Sequence, residues 1–209
     1  MRNLIYKKMR FVKVVDIYSS LYVYTNSKEQ LIISSGVLNF IWNYWNNFWR
    51  DYWITHVSGG YNMDGSYISP IYSKYNDKQC CHYLLFACGK RKQHNYGDSI
   101  NGSYQEVTWG DPKIIADIAS HFLTTNNHMN IVLGLLSHYK TFIEHFQIIR
   151  NSFIHLNNDN IYYLNKIAGY YIFGPNHRLI DILDTKEISS STICFINLTD
   201  NMKGMIRNL

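Results

Sequence analysis

From about Leu38 to Val57 the sequence sets Trp42, Trp49 and Trp53 on one stripe of an α-helix, with Trp45 beside it and Asn43, Asn47, Arg50 and Asp51 on the other side. Indoles at helical spacing belong in a core; the same stripe could stack bases, but the period favours burial. Ser58-Gly59-Gly60 closes the run, as glycine does just past a helix end. Only 3 Pro occur in 209 residues, which favours helices over a turn-rich all-β design. The hydrophobic fraction of 46% with 17% charge excludes a disordered chain. A single domain over 1–209 is expected, long enough to bury a core without staples.

Other stretches read with different clarity. Residues 11–23 are apolar and β-branched and fit helix or strand, with helix preferred. Ser27 with Gln30 reads as a capping box. Asp111-Pro112 is a strong helix start, with Asp as N-cap and Pro in the first helical position. The helix it opens carries Ile114, Ile115, Ile118 and Phe122. A long pattern runs from about Met129 to His155, another helix from Ile161 to Tyr171, and Gly174-Pro175-Asn176 is a turn. Residues 61–110 hold turn formers around short apolar runs and read as an insertion of loops with a hairpin. Ile193–Leu198 reads as a short strand, and the polar tail after Thr199 as loose. The predicted fold class is mostly α, a helical bundle with a loop and short-strand insertion around 61–110.

Charge and cysteines bound the setting. A net charge of +5 and a pI of about 8.9 permit a nucleic-acid partner without requiring one. The first 13 residues mix charge with apolar side chains and do not read as a signal peptide. Cys80, Cys81, Cys88 and Cys194 are therefore expected as free thiols in a cytoplasmic protein. No uncharged apolar stretch approaches the roughly 20 residues of a membrane span.

The chemistry-bearing segment is Arg150-Asn151-Ser152-Phe153-Ile154-His155. On a helix, Phe142, Phe146, Ile149 and Phe153 form a core stripe, while Glu144, Gln147, Arg150, Asn151 and His155 fall on the opposite half. Glu144, Asn151 and His155 form one row, and Glu144 could set the histidine tautomer. Ile148 and Ile154 share that polar face, which suggests a partner surface over it. A guanidinium can hold a phosphate and an imidazole can move a proton near neutral pH. The same pair also suits a helix end, where Arg and His favour the negative pole and bond the last carbonyls.

The stretch IIRNSFIH resembles the R-x4-6-H signature of the HEPN superfamily of endoribonucleases, in its R-N-x-x-x-H form. Its surroundings are similar too: a helix opened by Asp111-Pro112, the run Asn130 to Ile149 leading into the motif, and an aromatic helix ending in Gly-Gly. Residues 61–110 have no counterpart in the resemblance. The resemblance implies a HEPN-like helical bundle that forms a homodimer with two motifs on one cleft. It implies metal-independent RNA cleavage leaving a 2′,3′-cyclic phosphate, in a toxin–antitoxin or defence setting, with an antitoxin protein as a possible partner. By that resemblance His155 acts as general base or acid, Arg150 stabilises phosphate charge, and Asn151 orients His155 or donates to the phosphate. No cofactor and no metal is expected. Two further readings stay open: a non-catalytic RNA-, nucleotide- or protein-binding module of the same fold, and a structural helical subunit of a larger complex.

Two other clusters carry less. Cys80-Cys81-His82 with Cys88 lacks the paired spacing of a zinc site, so buried or idle thiols are expected. Lys90-Arg91-Lys92 with His94 could meet phosphates, but a solvated loop fits better.

Overall fold

The tryptophan run lies inside a 29-residue helix, α2 (Gln30–Ser58). A computed structural model describes residues 2–23, 29–123, 126, 128–155, 158–172 and 179–209. The other α-helices are α1 (Leu4–Val23), α3 (Asp77–Ala87), α4 (Pro112–Phe122), α5 (Met129–Ile154), α6 (Asn158–Ile167) and α7 (Cys194–Asn208). The described residues also hold three two-residue strands, β1 (Arg2–Asn3), β2 (Gly60–Tyr61) and β3 (Tyr67–Ile68), and short 3-10 turns at Ser103–Gln105, Ala168–Tyr170 and Leu179–Asp184. The fold is mostly α, as the composition and periodicity indicate. Ser27 and the turn at 174–176 lie outside the described residues.

Two compact units alternate along the chain. The first comprises Met1–Phe11, Tyr44–His138 and Arg207–Leu209; the second comprises Val12–Asn43 and Tyr139–Ile206. The tryptophan stripe is divided between them at residue 43.

In the first unit, Trp45, Trp49 and Trp53 are fully buried. Their rings step along α2 at 5.7 and 5.5 Å, and Trp53 stacks on Phe122 of α4 at 6.4 Å. Phe11 of α1 closes the other end against Trp45 at 5.7 Å. The Asp111 side chain accepts from the backbone N–H of Lys113 at 2.8 Å and of Ile114 at 3.4 Å. Ile114, Ile115, Ile118 and Phe122 are all buried. Asp111→Ala removes the acceptor for these orphan donors and is expected to lower stability by about 1 kcal/mol, read as a shift in the urea midpoint.

The sheet orders β1-β2-β3, with β1 parallel to β2 and β3 antiparallel to it. Gly59 takes φ +84°, and a Cβ on Gly60 would lie 2.7 Å from the Arg2 carbonyl oxygen. Glycine at both positions is what lets the chain leave α2 and run beside β1. The hairpin expected after residue 60 is present. The reading of 61–110 as loops with a hairpin is corrected in one respect, because the helix α3 also lies within it. Its Asn76 caps the Gln79 N–H, and the Gln79 side chain accepts from the Asn76 N–H, a capping box that fixes the start of the helix. Cys80, Cys81, Leu84 and Leu85 form its buried side.

In the second unit, Phe146 and Ile149 of α5 are fully buried and Phe153 is nearly so, whereas Phe142 is half-buried. Trp42 stacks on Phe146 at 6.1 Å. The readings of residues 193–198 as a strand and of the tail as loose are overturned. Ile193 makes a single β-bridge to Lys186, and the residues from Cys194 to Asn208 form α7, whose Cys194, Leu198, Met202, Met205 and Ile206 are buried. Those residues recur at helical spacing, but Thr199, Asp200, Asn201 and Lys203 between them make the stretch look polar. Tyr22 of α1 meets Phe195 at 4.4 Å, and its hydroxyl donates to Asp184. The Lys203 ammonium pairs with Asp16 and Asp200, both at 2.8 Å.

Candidate functional site

The last three turns of α5 are held by their buried stripe, which turns the opposite edge outward. Glu144, Gln147, Ile148 and Asn151 line an open concavity of about 310 Å³, closed on one side by Tyr163 of α6. These four residues come from the polar face read in the sequence. Tyr163 was not anticipated, since nothing in its spacing marks it beyond its place on an aromatic helix.

Arg150 lies half-buried beside that edge. Its Nη1 donates to Asn151 Oδ1 at 2.9 Å and its Nη2 to Asn39 Oδ1 of α2 at 2.6 Å. Among the described residues, its Nε is buried without a hydrogen-bond partner. Desolvation pulls the guanidinium below its ordinary value, yet an arginine stays charged at neutral pH. Asn39 is a site neighbour that sequence reasoning missed, because a contact across 111 residues leaves no local signal. Asn151 uses its carbonyl oxygen on Arg150, so its amide NH2 is the donating end.

His155 stands one residue past the end of α5. Its backbone N–H donates to the Asn151 carbonyl at 2.8 Å, and the side chain is exposed. Glu144 instead faces Lys140 at 3.7 Å. Eleven residues separate Glu144 from His155, about 16 Å of helical rise. The Glu144 carboxylate therefore does not set the tautomer of His155 along the helix, as one row of residues suggests. Thus the structure brings Glu144, Asn151, Gln147 and Ile148 into one concavity and places His155 a turn beyond them.

The other clusters resolve simply. All four cysteines are free and buried. Burial pushes the Cys80 thiol up to about 11 and Cys81 up to about 12, so neither is a nucleophile at neutral pH. Lys90 and Lys92 are exposed loop cations, but His94 leaves them and meets His82, with Nδ1 to Nδ1 at 3.0 Å. His82, His94 and Asp98, all in the first unit, are the described side chains with metal-ligand geometry.

No helix among the described residues is long and apolar enough to cross a membrane. Comparison with known proteins finds no family model, no curated protein and no solved structure that matches the chain.

Proposed function

We propose that the chain is a metal-independent endoribonuclease of the HEPN type, a cytosolic toxin or defence effector that works as a two-fold pair. The observation that carries the reading is the open concavity on the outer edge of α5. Glu144, Gln147 and Asn151 share it, and an exposed imidazole follows in the next turn. His155 takes the proton of a ribose 2′-OH or returns one to the leaving oxygen. Arg150 and the Asn151 amide face charge developing on the phosphate. Pairing of two copies supplies a second imidazole, so that base and acid are separate groups. Exposed Ile17, Leu21, Ile32 and Phe40 in the same unit offer apolar surface for such pairing. A protein covering the concavity would act as an antitoxin.

A second reading rests on the two asparagines that already hold Arg150. In that reading the chain binds RNA or a nucleotide without cutting it, with Arg150 as an anchor and His155 as a structural residue.

The deciding measurement is cleavage of a mixed RNA pool in EDTA. His155→Ala is expected to lose about a hundredfold or more in rate, while keeping the wild-type circular dichroism spectrum. Equal cleavage by both chains would remove His155 from the mechanism. RNA binding by the wild type with no cleavage under any condition would leave the binding module in its place.

A further inference from the structure

The loop after α3 is unusually well anchored for a surface segment. Gly89, with φ +70°, turns the chain out of the helix, and the N–H groups of Lys90 and Arg91 both return to the Leu85 carbonyl, at 2.8 and 3.1 Å. A tight turn over Asn95–Asp98 follows, with Gly97 at φ +94° and the Asp98 N–H on the Asn95 carbonyl at 3.1 Å. The Ile100 N–H then bonds the Lys78 carbonyl at 3.2 Å.

That path folds His94 back onto α3. Its Nδ1 lies 3.0 Å from His82 Nδ1, and its Nε2 lies 3.0 Å from the Tyr75 hydroxyl. Tyr72, Tyr75, Tyr83 and Phe86 surround the His94 ring at 5.1 to 6.4 Å. His82 is almost wholly buried. Desolvation lowers both imidazoles from their ordinary value, which keeps them neutral, the form that ligates. Asp98 completes the group: one ligand atom from each of the three residues lies within 4.8 Å of the others. The Asp98 carboxylate is steadied on Oδ2 by the Asn95 backbone N–H at 2.8 Å and by its side-chain amide at 3.3 Å, which hold it below the usual carboxylate range.

We infer that His82, His94 and Asp98 form a binding site for one zinc-like divalent cation that pins the 89–98 loop to α3. Two imidazole nitrogens and one carboxylate oxygen are a ligand set that zinc accepts, with water in the fourth position. Nitrogens about 2.0–2.1 Å from a tetrahedral ion sit about 3.3 Å apart, close to the spacing of the two Nδ1 atoms. In the metal-free pair one proton is shared between those atoms. The cation replaces it, and the proton moves to the far nitrogen of the ring that held it. On His94 that far nitrogen faces Tyr75, whose hydroxyl can accept from it, as an outer partner of a ligating imidazole does. Arg91 places a positive charge on the His82 side, which the Asp98 carboxylate opposes. The inference goes beyond the nuclease reading and does not depend on it.

The test is titration of the EDTA-treated, dialysed full chain with ZnCl2, followed by Co2+ absorption spectroscopy. One equivalent of zinc is expected. The Co2+ spectrum is expected to show tetrahedral d–d bands without thiolate charge transfer. Asp98→Asn and His94→Gln are each expected to weaken binding by at least about tenfold, and His128→Gln to leave it unchanged. Asp98→Asn keeps the shape of a loop side chain, so it reads the site even if His94→Gln unfolds. No uptake by the folded wild type, thiolate bands in the Co2+ form, or uptake that Asp98→Asn leaves at the wild-type level would overturn the assignment.

Discussion

Trp45→Ala is expected to cost on the order of 3–5 kcal/mol, among the largest losses available to a single side chain in the first unit. The indole is fully buried between Phe11 and Trp49, so truncation opens a cavity. Its Nε1 also donates to the Gly110 carbonyl at 2.8 Å, and the truncated chain strands that acceptor. Gly110 is the other half of the contact. A Cβ there would sit 2.2 Å from Trp45 Cδ1 and 2.4 Å from Nε1, and the Gly110 N–H is fixed on Asn46 Oδ1 at 2.8 Å, so the backbone cannot easily withdraw. Gly110→Ala is therefore expected to cost about 1–3 kcal/mol or more by overpacking. The two losses should not add. With the indole gone, the new methyl group has room, and the double variant should be more stable than the sum of the single costs by about 0.5–3 kcal/mol. Urea denaturation of the four chains measures this, and strictly additive costs would show that the two residues do not compete for one space.

The second large effect is loss of stability in acid. Burial pulls His56 in the first unit and His145 in the second down to about 4. His56 Nδ1 bonds the Tyr52 carbonyl at 2.9 Å, and its Nε2 is buried with no partner among the described residues. Nearby His128 disfavours a second charge. His145 Nδ1 meets the Tyr171 hydroxyl at 3.0 Å, with Glu187 giving only partial relief. In the unfolded chain each imidazole protonates near 6.5; in the fold it does so only near 4. Between those values the unfolded state holds more protons, so stability falls as pH falls. Each group contributes about 1.4 kcal/mol per pH unit inside the window and nothing further above it. Denaturation midpoints followed from pH 7 to 4 read the slope, and imidazole NMR titrations assign it. A folded-state titration of either ring near its ordinary value would defeat the expectation.

What could be read from the residues alone follows from how local each signal is. The start of α4 was legible because Asp111 and Pro112 act on the next three residues. The buried indoles of α2 and the stripe through Phe146, Ile149 and Phe153 were legible because each has an unbroken period. The helix α3 was missed although Asn76 and Gln79 carry a capping signature, since its 11 residues lie among turn formers. The helix α7 was missed because the apolar residues around its start, Ile193 to Ile196 and Leu198, fit a strand as well as a helix, and only burial of Met202, Met205 and Ile206 separates the two. At the concavity, Glu144, Gln147, Ile148 and Asn151 came from one periodicity and were found together. Asn39 and Tyr163 came from other helices and were not. The grouping of His82 with His94 and Asp98 depends on the path of a loop, which spacing does not encode.

The late position of α7 has a consequence for how the protein is made. Tyr22 leaves the ribosome long before Phe195 is translated, so an early aromatic side chain of the second unit waits for a partner that α7 carries. During that interval the nascent chain carries exposed aromatic surface, the condition under which chaperone capture competes with aggregation.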